Sequence, residues 1–249
     1  MNEEDTDDRS RRAQLAESLA RVRERVDRAC ANVGRSPDEV ALSAVTKTFP
    51  ASDAALLADL GVTDLAENRE QEARPKVAEF QRLRPGVRVR WHMVGQLQRN
   101  KARSVARWAD VVESVDSGRL VEALRRAVGN ALEAGERSAP LDVLLQVNLD
   151  QRTDRGGCSP GKVPELAEMM ARMCEIQLCG VMAVAPLGED PDVAFATLSG
   201  ISERLRRDFP EAREVSAGMS GDLESAIAHG STRVRVGTSL LGGRPLVSR

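Results

Sequence analysis

Lys47 follows the apolar run Ala41-Leu42-Ser43-Ala44-Val45-Thr46, and Thr48-Phe49-Pro50 comes directly after it. Such a run reads as a buried strand, and a lysine at its carboxyl end lies where α/β proteins place their ligands. An ammonium is costly to bury, so it must meet an anion, lose its proton or form a covalent imine. A strand-end lysine reaching solvent would explain Lys47 taken alone. Two other segments supply what an imine-forming lysine needs. Ser216-Ala217-Gly218-Met219-Ser220-Gly221-Asp222 and Arg235-Val236-Gly237-Thr238-Ser239 both combine glycine with hydroxyl side chains. Glycine lets main-chain N–H groups approach an anion closely, and Ser or Thr adds donors, so each loop suits a phosphate. Read singly, Ser220 is a helix cap and Gly237 a turn. Read together with Lys47, the loops point to pyridoxal 5′-phosphate (PLP), with Arg235 facing its ring. An arginine beside the pyridine nitrogen disfavours protonation there and weakens the cofactor as an electron sink. A surface ion pair is the alternative for Arg235, since Arg233 lies close by.

These residues work together only if several strands end at one edge. Leu15, Leu19, Val22, Val26 and Val33 recur at helical spacing and give a first amphipathic helix. Strand patterns follow over residues 41–47, 62–65, 87–94, 111–115, 141–149, 176–184, 214–217 and 234–236. Helical patterns separate them, including a basic helix from about Gln98 to Trp108. Eight strands with helices between them predict an α/β fold, a single TIM (β/α)8 barrel over residues 13–249. Its phosphate loops follow the seventh and eighth strands, as barrels often arrange. A doubly wound open sheet is the alternative. Residues 1–12 are strongly charged and are expected to form a disordered tail.

Composition excludes several function classes. The formal charge of −2 gives no general drive toward nucleic acid or an anionic membrane. Arg99, Lys101, Arg103 and Arg107 lie along one expected helix and read as a solvated face. Four cysteines without CxxC spacing and two histidines make a poor metal site. No apolar stretch is long enough to span a bilayer, and residues 1–12 are too polar for a signal peptide, so a cytoplasmic protein is expected.

Five blocks then carry a family resemblance: Ala44-Val45-Thr46-Lys47-Thr48, Glu67-Asn68-x-x-Gln71-Glu72, Trp91-His92-x-x-Gly95-x-Leu97-Gln98-x-Asn100-Lys101, Ser216-x-Gly218-Met219-Ser220-x-Asp222 and Arg235-x-Gly237-Thr238. In order and spacing they resemble the YggS/PROSC family of pyridoxal-phosphate homeostasis proteins, from about residue 14 onward. The resemblance implies a fold-type III barrel like the N-terminal domain of alanine racemase, with Lys47 as the aldimine lysine. It implies phosphate contacts from Ser216, Ser220, Gly237 and Thr238, and a pocket lined by Asn68, His92 and Met219. Arg235 matches the family arginine directed at the pyridine nitrogen. Ala66, Arg69 and Ala217 depart from the usual pattern at the pocket rim.

Racemisation at an imine carbon needs a base on each face of the cofactor. In alanine racemases the second base is a tyrosine from a further domain, and this chain contains no tyrosine. Only Ser239 to Arg249 follow the eighth strand, so that domain is not expected here. Holding and releasing PLP in vitamin B6 homeostasis, with apo PLP-dependent enzymes as recipients and a monomer as the acting form, is therefore the expected role. A PLP-dependent racemase or lyase is the runner-up, and a cofactor-free lysine aldolase barrel the third reading. The loop Asp150–Ser159, with Gly156-Gly157, is expected to act as a flap.

Overall fold

A computed structural model describes residues 3–150 and 155–243. Among these, eight parallel strands close into a barrel in sequence order. They are β1 (Ala41–Val45), β2 (Asp64–Glu67), β3 (Arg90–Met93), β4 (Val111–Val115), β5 (Leu141–Gln146), β6 (Ile176–Met182), β7 (Glu214–Ser216) and β8 (Arg233–Val236). The helices outside are α1 (Glu3–Asn32), α2 (Ala51–Asp59), α3 (Glu70–Leu83), α4 (Ala102–Val105), α5 (Gly118–Glu133), α6 (Val163–Ala171), α7 (Pro191–Asp208), α8 (Leu223–Ala228) and α9 (Thr238–Leu241). The closed ring decides against the open sheet, because β8 returns to pair with β1 from Ala41–Arg233 to Ala44–Val236.

Strand side chains alternate between two environments. On β3, Trp91 meets Phe80 of α3 edge to face, with ring centroids 5.5 Å apart. Its neighbour His92 is fully buried and hydrogen-bonded to side chains of β2 and β4. On β8, Val234 and Val236 join the helix-facing apolar core, while Arg233 and Arg235 reach polar partners on other strands. The apolar mass therefore sits between strands and helices, and much of the barrel interior is ionic.

Two elements differ from expectation, and a third lies partly outside the described residues. Helix α1 starts at Glu3 and so takes in most of the segment expected to be disordered. Arg11 accounts for part of this: its Nη2 donates to Asp53 Oδ2 at 2.6 Å and to the Leu241 carbonyl at 3.1 Å, tying α1 to α2 and α9. The expected basic helix is a 3₁₀ turn over Arg99–Lys101 followed by the single turn of α4. Arg99, Arg103 and Arg107 are exposed as expected, and Arg107 pairs with Glu136 at 2.7 Å. Of the expected flap, residues 151–154 lie outside the described residues. Its end is fixed to β5, since the Cys158 N–H donates to the Gln146 carbonyl at 2.8 Å and Asn148 N–H donates to the Cys158 carbonyl at 2.8 Å.

Phe80→Ala removes the ring that seats α3 on Trp91. The expected loss is about 3–4 kcal/mol in denaturant unfolding, with the barrel's circular dichroism retained.

Candidate functional site

The carboxyl ends of the strands surround a cavity of about 530 Å³. Lys47, Asn68, Met219, Ser220, Arg235, Gly237 and Thr238 all border it, so seven of the nine residues singled out in the sequence converge there. A larger groove of about 790 Å³ runs between α3 and α4, past Arg74, Asn100 and Arg103. That groove contains no strand-end residue, and none of the imine or phosphate candidates lines it.

Lys47 leaves β1 in a tight turn. The Phe49 N–H donates to the Thr46 carbonyl at 3.1 Å, with Lys47 and Thr48 between them. Thr48 has φ of 70°, and among the described residues it is the one non-glycine with positive φ. A β-branched residue held there costs roughly 1–3 kcal/mol. Asn68 follows β2 directly, and the chain passes against it at Gly95. A Cβ on Gly95 would lie 2.0 Å from the Asn68 carbonyl oxygen, so only glycine permits this approach.

The loops after β7 and β8 border the same cavity, and the β8 loop packs beside the end of β1. Ser220 Oγ accepts from the Ser239 N–H at 3.3 Å, and the Met219 N–H donates to Asp222 Oδ1 at 2.6 Å. The first bond joins the two loops, and the second folds the β7 loop back on itself. Gly218, with φ of 90°, turns the first loop over α8, where a Cβ would meet Ala226 Cβ at 2.7 Å. Hydroxyl donors, close main chain, an amine and a guanidinium bordering one cavity form a donor set that fits a phosphorylated pyridine aldehyde.

Arg235 is buried and anchored from below. Its Nη1 donates to Ser216 Oγ at 2.6 Å and its Nη2 to the Ala183 carbonyl at 2.9 Å. Ser216 Oγ donates in turn to Glu113 Oε2 at 2.6 Å. The other Glu113 oxygen meets His92 Nδ1 at 2.7 Å, and His92 Nε2 meets Asp64 Oδ1 at 2.9 Å. Arg233 Nη1 completes the chain, 2.7 Å from Asp64 Oδ1.

Burial alone would lower His92, but its bonds to Asp64 and Glu113 outweigh this and raise its pKa. Burial alone would raise Glu113, yet His92, Arg235 and Ser216 bring it down to about 2. The interior is thus an alternating row of fixed charges. Ser216 and His92 belong to this row and lie beneath the residues that border the cavity. The parity of β3 and β7 turns both inward, where His92 meets carboxylates of β2 and β4 and Ser216 meets Glu113 from across the barrel.

Sequence reasoning missed Thr48, Phe49, Gln96 and Gln146, which also border the cavity. Gln146 carried a signal, as a polar residue inside an otherwise apolar run. The buried thiols have no part in the site. Burial pushes Cys158 up to about 11 and Cys179 to about 12, which keeps both protonated. Among the described residues, no group of three His, Cys, Asp or Glu side chains could hold a metal. No helix there is long and apolar enough to cross a membrane.

A family model described as alanine racemase, N-terminal domain, matches residues 18–245. A curated relative from Mycobacterium tuberculosis (strain ATCC 25618 / H37Rv), named pyridoxal phosphate homeostasis protein, is 47% identical over 247 residues and 96% of each chain. The chain belongs to the pyridoxal phosphate homeostasis protein family. The structure of PipY from Synechococcus elongatus PCC7942 with PLP bound matches it at a TM-score of 0.75 and 34% identity, over 92% of this chain and 100% of that one. Alanine racemase from Corynebacterium glutamicum shares the barrel at a TM-score of 0.66 and 13% identity, over 96% of this chain and 62% of that one. The fold-type III barrel expected from the family motifs is therefore the observed fold.

The charge row predicts a pH signature. His92 has a raised folded pKa, so its contribution is complete below about 6.5, the unfolded value, and fades as pH rises through the folded value. His92→Gln should lower unfolding free energy by about 3 kcal/mol at pH 6. The gap to wild type should narrow as pH rises, in denaturant melts across the alkaline range.

Proposed function

We propose that this protein holds PLP through a reversible Schiff base on Lys47 and acts in vitamin B6 homeostasis, without robust turnover of an amino acid. The observation that carries this reading is the convergence of Lys47, two glycine- and hydroxyl-bearing loops and Arg235 on one cavity. The names of the family members support it, as does the PLP-bound relative.

Each residue has a defined task. Ser220 and Thr238, with the adjoining main chain of Gly221 and Gly237, grip the phosphate. Asn68 lines the same cavity and orients the ring. Lys47, half-buried at the strand end, supplies the amine, which attacks an aldehyde in its neutral form. When bound, PLP supplies an aldehyde for exchange with amines and a ring that can accept electron density.

Arg235 opposes that second capacity. Fixed by Ser216 and the Ala183 carbonyl, it keeps a positive charge near the ring and disfavours a protonated pyridine nitrogen. The chain also lacks the tyrosine that serves as second base in alanine racemases. Both features favour holding and release over carbanion chemistry, with apo PLP-dependent enzymes inside the cell as recipients and a monomer as the acting form.

Purified protein mixed with PLP should develop the absorption band of a Schiff base, and borohydride should trap the label on Lys47. Lys47→Ala should lose the band and retain weaker, phosphate-held binding. Labels scattered over surface lysines would overturn the reading. Turnover of an amino acid at enzyme-like rates would replace it with a racemase or lyase.

A further inference from the structure

The turn that presents Lys47 is gripped from behind by a buried ion pair that lines no part of the cavity. Lys76, on α3, donates from Nζ to the Thr46 carbonyl at 2.7 Å and to Glu67 Oε1. Thr46 Oγ1 donates to the same Glu67 oxygen at 2.6 Å. Thr46 and Glu67 are fully buried and Lys76 is nearly so. The main chain is fixed alongside: the Thr46 N–H donates to the Ala66 carbonyl at 3.0 Å and the Val94 N–H to the Glu67 carbonyl at 2.8 Å. One cation thus joins the ends of β1 and β2, one residue before Lys47 and one before Asn68.

The Thr46 carbonyl is the acceptor that closes the Lys47–Thr48 turn onto the Phe49 N–H. That turn stores strain, because Thr48 occupies a conformation that glycine would adopt freely. Strained backbone persists only where surrounding contacts over-determine it. Lys76 provides such a contact, on the very carbonyl that closes the turn. Strand parity separates the two lysines: Lys47 borders the cavity, while Thr46 and Glu67 face α3 on the outer side of the barrel.

We propose that Lys76, paired with Glu67, is a positioning residue that holds the strained turn and thereby aims Lys47 Nζ at the aldehyde. The proposal rests on the Schiff-base reading of Lys47. In that step the lone pair of the neutral amine attacks the aldehyde carbon. Both N–H protons pass to the carbonyl oxygen, which leaves as water while the C=N bond forms. Such attack needs near-contact geometry, so loosening the turn should slow bond formation and leave the phosphate grip intact. Burial pushes the Glu67 carboxyl above its ordinary range, against the charge and hydrogen bonds of Lys76 and the bond from Thr46. One of its oxygens has no partner among the described residues, which marks the pair as held for position at some electrostatic cost.

Two probes separate aiming from folding. PLP reports bond formation by absorbance and borohydride trapping. Pyridoxine 5′-phosphate, with an alcohol in place of the aldehyde, reports the phosphate and ring contacts alone. Lys76→Met should slow Schiff-base formation about tenfold or more and leave the pyridoxine 5′-phosphate Kd within about twofold. Lys76→Arg, which keeps a cationic donor, should recover part of the rate. Thr48→Gly relieves the strain without touching the ion pair, and should slow the same step while global stability holds or rises.

In cofactor-free protein, the Phe49 amide should exchange with deuterium about tenfold faster in Lys76→Met. Wild-type rates in Lys76→Met would overturn the proposal, as would equal losses for both probes, which mean a purely structural lysine. Failure of wild type to trap PLP on Lys47 would instead remove the Schiff-base reading. The Phe49 exchange would still decide whether Lys76 holds the turn.

Discussion

A guanidinium can be buried beneath this cavity only because a carboxylate is buried with it. Arg235 has Ser216 and Glu113 below it, and Glu113 keeps its charge because His92 carries a proton. His92 keeps that proton because Asp64 sits on its other nitrogen, and Asp64 is balanced by Arg233. Removing one member leaves its neighbours as uncompensated buried charges, which is the expensive way to break such a network. The barrel's register follows from this constraint. Ser43 lies beside both Asp64 and Arg235, and Ala66 beside His92, so the charged residues of four strands share the interior. A slip of one residue on any of those strands would turn its charge out into the apolar layer under the helices.

The second buried ion pair, Lys76 with Glu67, acts on the opposite face of the same strands. The interior row sets the charge beneath the cavity, and the outer pair fixes the turn at its rim. The interior row reaches the cavity at Arg235, and the outer pair acts on it through the chain neighbours Lys47 and Asn68. That division suits a site whose task is to hold and release. The groups meeting a ligand are few, and the precision resides in what supports them.

Much of this was legible in the chain. An apolar run ending in lysine, and two glycine- and hydroxyl-rich segments at the seventh and eighth strands, located the cavity before any fold was known. The helical periodicity of Leu15, Leu19 and Val22 placed α1 against the barrel, and all three are buried. His92 and Ser216 sit in the charge row beneath the residues that border the cavity. Their positions near strand ends suggested the cavity, but nothing in the sequence says how deep a strand sits. Glu113, isolated among valines in Val111–Val115, was the available warning. A carboxylate inside an apolar strand needs a buried cation, and histidine and arginine were the candidates.

What the sequence determined by itself was the set of strands, their order and the chemistry at their carboxyl ends, because period-two apolar runs and glycine-bearing turns are local properties. Tertiary structure alone decided which polar residues face the cavity and which face one another. Asp64, His92, Glu113, Ser216 and Arg233 come from five strands, and Lys76 comes from a helix. Their protonation and partners depend on distances set only when the barrel closes, since burial makes each charge require a neighbour that chain order does not specify.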